Sequence, residues 1–245
     1  MMSGKEPDEA DLVAAREIVI ELFEERFKEL KALNDFECAV LSEADSLRDY
    51  LIGTDSRTFC ILAISFMEDM LRRTFIQHWK IEGKSALDNY FGSNGPLNTF
   101  SQRVLVATGL AWMTMEDQRQ TSLLRKIRNE FAHNHKVMAL ADEPLASWAN
   151  ALHPAERVWD REEMLIYREA YQSAPRETVL RLRIYCNSIF LVSKVLARAK
   201  LIGAELPPDF RAGSGFNALT GIEQAFIDHA IKHCFKTLGI MRSGA

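Results

Sequence analysis

The most restrictive feature of this chain is the run Phe59-Cys60-Ile61-Leu62-Ala63-Ile64. It lies in the front half of a segment that Asp55 or Ser56 can cap and that reads as one helix to about Trp79. The run is apolar on nearly every side of that helix, so other elements must surround it. The rest of the sequence offers helices for the purpose. Apolar residues recur at helical spacing almost throughout, and two-residue hairpin signals between alternating apolar runs are absent. Gly 12 and Pro 7 are low counts for 245 residues, which argues against a turn-rich all-β chain. The expected fold class is all-α, a helical bundle of about seven or eight helices.

The elements expected are a helix over about Asp8–Ala32 with Glu17, Glu21, Glu24 and Glu25 on its wet face, then Asp35–Tyr50 and Ser56–Trp79. Residues 80–95 read as a loop, with Pro96 in the first turn of a helix Leu97–Leu110. Thr114 and Asp117 resemble a capping box that opens a helix Met115–Val137. Residues 139–160 read as loop, followed by helices at about Arg161–Gln172, Arg176–Ile202 and Ala218–Leu238. Pro207, Pro208, Gly213 and Gly215 mark a linker before the last of these. The division expected is an acidic helical extension (1–53), a helical core (54–203), and a linker with a C-terminal helix (204–245).

Charge is uneven along the chain. Residues 1–50 carry 6 basic and 14 acidic side chains, net −8, and the remainder carries 24 and 20, net +4. The acidic end repels phosphate, so nucleic acid is not expected there. No stretch of about 18 apolar residues exists, so no membrane span is expected. Residues Met1–Asp11 are polar and lack the regions of a signal peptide. Cys38, Cys60, Cys186 and Cys234 are far apart in sequence and form no CxxC pair. A reduced cytoplasmic protein with single buried thiols is expected. Nucleotide-binding glycine motifs and GxSxG are absent, so no cofactor is expected.

The sharpest local feature is Ile127-Arg128-Asn129-Glu130-Phe131-Ala132-His133-Asn134. Arg128 and His133 are five positions apart, which on a helix leaves them about 140° apart after a full turn. They flank one side rather than stack, whereas Asn129 and His133 share a stripe at i,i+4. Together they can offer one phosphate a permanent cation, an amide and a titratable imidazole. Such a set can cleave RNA without metal: the imidazole moves a proton, and the guanidinium stabilises charge on the phosphate oxygens. The same residues also read as a structural arginine and a helix-end histidine.

The element resembles the Arg-x4–6-His motif of the HEPN superfamily, whose active ribonucleases favour a polar residue directly after Arg. That resemblance implies an α-helical, dimeric protein in which the motif helices of two protomers form one cleft. Arg128 would hold the phosphate, Asn129 would position it and His133 would be the acid or base. A broader stretch is similar to the mannitol operon repressor family. It comprises Gly95-Pro96-Leu97, Ser101, Arg103, Gly109 and Leu110, the Arg-x4-His element, and the helices Ser56–Trp79 and Arg176–Ala199. This similarity runs from about Thr54 to Lys200. It implies a helical regulator without a recognisable DNA-binding module, acting through contacts with other regulatory proteins. The chain departs from the best-known members in its clean RNxxxH element and its long terminal extensions.

Two segments are basic: 119–136 is net +4 and 176–200 is net +5. They can line a phosphate-binding groove, or pair with the acidic first helix inside the molecule or dimer. The second reading is preferred for 176–200. No helix-turn-helix with a basic recognition helix is evident, so direct sequence-specific DNA binding is not expected. His229 and His233, with Asp228 and Cys234 alongside, have metal-ligand spacing. No third ligand stands at a fixed distance, so a partly exposed helix face is expected and no metal. His78 reads as a helix-end residue. Glu68 either lies under Arg128 and orients it, or pairs with Arg72 at the surface. Phe216, Leu219, Ile222, Phe226 and Ile227 form an apolar stripe expected to dock on its own or a sister chain. Two functions result: a regulator of the mannitol-repressor type, preferred for the breadth of the resemblance, and a metal-independent HEPN-type endoribonuclease, a toxin or phage-defence effector. A homodimer is expected in both, with a protein partner for the first and RNA for the second.

Overall fold

The computed structural model describes residues 32–136, 138–153, 170–203 and 221–238. These hold eight helices and no strand: α1 (Asp35–Leu51), α2 (Ser56–His78), α3 (Lys84–Phe91), α4 (Phe100–Gly109), α5 (Met115–His133), α6 (Leu145–Asn150), α7 (Arg176–Gly203) and α8 (Gly221–Thr237). The fold is all-α, as the periodicity predicts. The expected helix Asp8–Ala32, the linker 207–215 and most of 161–172 lie outside the described residues, as do Phe216 and Leu219.

Caps set most of the boundaries. Asn34 and Glu37 close a capping box on α1, and the Asp55 side chain accepts from the Thr58 amide at the start of α2. Thr114 and Asp117 close the box predicted for α5. α4 starts later than expected, at Phe100, because Thr99 and Gln102 form a reciprocal box there. Pro96 is therefore outside the helix, in a turn where the Leu97 amide reaches the Tyr90 carbonyl. A Cβ on Gly95 would collide with that same carbonyl, so glycine is required there. Two short helices, α3 and α6, occupy segments read as loop. α5 ends at His133, four residues early, with extended backbone at Asn134.

α7 is the centre of the bundle. It packs on α2, α8, α5 and α6, and Leu180, Leu182, Ile184, Tyr185, Cys186 and Ile189 are buried along it. Its buried polar residues satisfy themselves on main-chain carbonyls. Ser188 donates to Ile184 at 2.9 Å, Ser193 to Phe190 at 2.9 Å, and Asn187 to Arg183 at 2.8 Å and His153 at 2.9 Å. α2 packs beside it with Phe59, Cys60, Ala63 and Ile64 buried. Ile61 and Leu62 are only half-buried, so the helix predicted to be surrounded is less enclosed than α7. α8 packs on α7 and α1 through Ile222, Phe226, Ala230 and Cys234, so the described part of the apolar stripe docks on its own chain.

Candidate functional site

The last turns of α5 carry Arg128, Asn129 and His133 in a helix whose buried face is Leu124, Ile127 and Phe131. That face fixes the rotation of α5 and leaves the three polar residues off the core. Arg128 and Asn129 are half-buried, and His133 is exposed. The Arg128 guanidinium is ion-paired with Glu68 on α2 through one terminal nitrogen. Glu68 thus lies under Arg128, the first of the two placements weighed for it. The arginine Nε is buried without a hydrogen-bond partner among the described residues. Pairing with a carboxylate fixes the head group and cancels much of its charge.

The chain that follows His133 is also held. Arg57, one residue inside α2, donates to the carbonyl of Asn134 and, at 3.1 Å, to that of Lys136. A guanidinium at the negative end of α5 complements the helix dipole. The Asn134 amide group donates to Glu130 at 3.0 Å, and its oxygen accepts from the Lys136 amide at 3.0 Å. Arg57 was missed in the sequence because its partners are carbonyls, which carry no residue signature.

Most of the α7 cations are held inside the molecule. Arg181 donates to the Leu51 carbonyl at 3.0 Å and lies over the Phe59 ring, and Arg183 donates to the Asn150 carbonyl at 2.9 Å. Lys194 and Arg198 reach Asp117 at 3.0 and 2.6 Å, and Lys200 reaches Glu37 at 3.1 Å. On α5, Arg119 pairs with Glu116 at 2.9 Å, Arg125 donates to Ser101, and Lys126 sits over Trp148. The carboxylates that hold 176–200 are Asp117 of α5 and Glu37 of α1, whereas the acidic first helix expected as their partner lies outside the described residues.

Asp117 anchors this arrangement. It is 3% exposed. Burial alone would raise its carboxyl, but Lys194, the Thr114 amide and Arg198 outweigh that and hold it well below the usual carboxylate range.

His229 and His233 are not a partly exposed face, as expected, but are buried at 3% and 1% exposure. The reason is that both rings lie on the face of α8 that buries Ile222, Phe226, Ala230 and Cys234 in the core. Tyr185 O–H reaches His229 Nε2 at 2.6 Å, and His229 Nδ1 reaches Asp45 at 2.9 Å. Arg48 holds Asp45 at 2.5 Å and Asp49 at 2.9 Å. His233 stacks on Tyr185 with centroids 3.8 Å apart. Both nitrogens of His229 are hydrogen-bonded, whereas His233 Nδ1 is buried without a partner among the described residues, and no cluster of three metal-ligating groups occurs among those residues. His78 ends α2 with its ring edge-on to Trp112.

A cavity of about 10 Å³ between Met67, Phe100, Leu191 and Val195 is apolar and has room for about one water. No helix among the described residues is long and apolar enough to cross a membrane.

No family model matches the chain, and no curated protein matches it. Among solved structures, the chain is similar to one described as the X-ray structure of the MtlR-HPr complex from Escherichia coli. The two are 20% identical over 66% of this chain and 99% of that chain, with a TM-score of 0.47.

Proposed function

We propose that the chain is a helical regulatory protein of the mannitol operon repressor type, acting through protein contacts without a DNA-binding module of its own. The observation that carries this reading is the state of its cations. The Arg128 guanidinium is already paired with Glu68, and Arg181, Arg183, Lys194, Arg198 and Lys200 of α7 are bound to the protein's own carboxylates and carbonyls. An anionic substrate would have to displace Glu68 to use Arg128. Exposed apolar side chains are of the kind protein interfaces use: Leu105 on α4 is 63% exposed and Met115 at the start of α5 is 73% exposed.

The test uses the purified full chain. Assorted RNAs incubated with it in EDTA stay intact, and His133→Ala changes nothing. Cleavage by the native chain that His133→Ala abolishes would overturn the reading. With the chain as bait, one defined protein is recovered at fixed stoichiometry. HPr, named with the similar solved structure, is the first purified candidate, and the absence of any recovered protein counts against the proposal.

One observation favours a second reading, a metal-independent HEPN-type endoribonuclease using Arg128, Asn129 and His133. His133 is exposed and Arg128 and Asn129 are half-buried, so none of the three is sealed in the interior. In this reading, as the HEPN resemblance implies, the α5 helices of two copies lie close together and form one cleft. Light scattering at micromolar concentration is then expected to give twice the 27.9 kDa chain mass. A monomer mass contradicts this arrangement. Growth arrest in a bacterial host, relieved by His133→Ala, would make the ribonuclease the preferred function.

A further inference from the structure

Two of the four cysteines meet in the fold. Cys186 on α7 and Cys234 on α8 are 48 residues apart in sequence, and their sulfurs are 3.7 Å apart. Both are buried, as is Cys60 on α2, while Cys38 on α1 is exposed. The sequence expectation of single buried thiols therefore fails at Cys38, which is exposed, and at this pair, which is in contact. The pair joins α8, which packs mainly on α7 and α1, to the helix at the centre of the bundle.

We propose that Cys186 and Cys234 form a redox site, which a low-molecular-weight disulfide oxidises to a bond fastening α8 to α7. In the docked state the mutual hydrogen bond and then burial push the Cys186 thiol well up, and both sulfurs are shielded from solvent. Reaction begins when α8 lifts, a local opening that breaks few contacts outside α7 and α1. The Cys234 thiolate attacks one sulfur of the small disulfide. Its S–S bond breaks, and the first small thiol leaves with the Cys234 proton. While α8 is still partly lifted and Cys186 is open to solvent, the Cys186 thiol loses its proton and attacks the Cys234 sulfur of the mixed disulfide; that S–S bond breaks and the second small thiol leaves with the proton. The two cysteines lose two electrons in total, and the small disulfide is reduced to two thiols. The product closes the chain between α7 and α8, and α8 can no longer lift.

The experiment treats the native full chain with oxidised glutathione and maps the peptides without reduction. Free thiols fall from four to two, and one linked peptide joins residues 186 and 234. The mass drops by two hydrogen atoms. Hydrogen exchange of α8 slows on oxidation and recovers with dithiothreitol. Cys234→Ser and Cys186→Ala each abolish the linked peptide, so failure of one variant to fold leaves the other. Denaturant-unfolded chain gives mixed pairings under the same oxidant, which shows that the fold selects the pair. The proposal is overturned if Cys186 and Cys234 stay reduced while Cys38 is glutathionylated. It is equally overturned if Cys234 holds a stable mixed disulfide or if the links join other cysteines.

Discussion

Asp117→Ala lowers the stability of the folded chain by about 3 kcal/mol and its Tm by about 10 °C. Three losses act together. The side chain is one half of the capping box with Thr114 at the start of α5, and a lost cap alone costs about 1 kcal/mol. Its two oxygens are also the acceptors for Lys194 at 3.0 Å and Arg198 at 2.6 Å. Removing a buried carboxylate leaves these cations unpaired at the α5–α7 contact. Lys194 and Arg198 keep some access to water, which places the loss at the lower end of the range for broken buried pairs. Asp117→Asn keeps much of the cap and loses the charge, so it falls between the two. Arg119→Ala, which removes an exposed, solvent-screened pair with Glu116, leaves stability essentially unchanged. Urea and thermal unfolding of the three variants give the order. A loss at Asp117→Ala no larger than that at Arg119→Ala would remove Asp117 as the anchor between α5 and α7.

The same residue shows how far the sequence could be read. Thr114 and Asp117 were legible because a capping box is local: both partners lie within four positions and have few substitutes. The Asn34–Glu37 and Thr99–Gln102 boxes were equally local, and attention to the second would have moved the start of α4 away from Pro96. The central position of α7 was not legible. Of its six cations, Arg181, Arg183, Lys194, Arg198 and Lys200 each bend back to a carbonyl or carboxylate of another helix. The run Ile184-Tyr185-Cys186 through Ile189-Phe190-Leu191-Val192 is apolar enough to be buried, but which helices cover it is set by long-range packing. At the candidate site, Arg128, Asn129 and His133 were found by spacing, and Glu68 was one of two placements considered. Arg57 could not be found, since carbonyl partners leave no pattern. The burial of His229 and His233 depended on which helix α8 meets. That contact is made by residues more than 30 positions away, such as Tyr185 and Asp45.

Acid weakens the docking of α8, and His233 is the main cause. The groups facing it are Tyr185 and Arg181 of α7, Phe59 of α2, Arg48 and Asp49 of α1, and His229 and Thr237 of α8. Burial, then His229, Arg48 and Arg181 oppose a positive ring, and Asp49 favours it. Together they push the His233 imidazole down to about 3. His229 moves the same way: burial lowers it, against the opposing hydrogen bond to Asp45. The sign follows from linkage. Above about pH 6.5 both docked and released rings are neutral, and docking has its full stability. Below that value the released His233 binds a proton that the docked ring refuses, so docking weakens steadily until the pH reaches the docked value. At about pH 5 the loss from His233 is about 2 kcal/mol, or about 30-fold in the docking equilibrium. Hydrogen exchange of the α8 amides, corrected for intrinsic rates, is expected to show that drop between about pH 7.5 and pH 5. His233→Phe keeps a ring against Tyr185 and cannot take the proton, so its α8 protection falls less over the same interval. An unchanged slope in His233→Phe would assign the acid response to other groups. His229, held between Tyr185 and Asp45, would then be the next ring to replace.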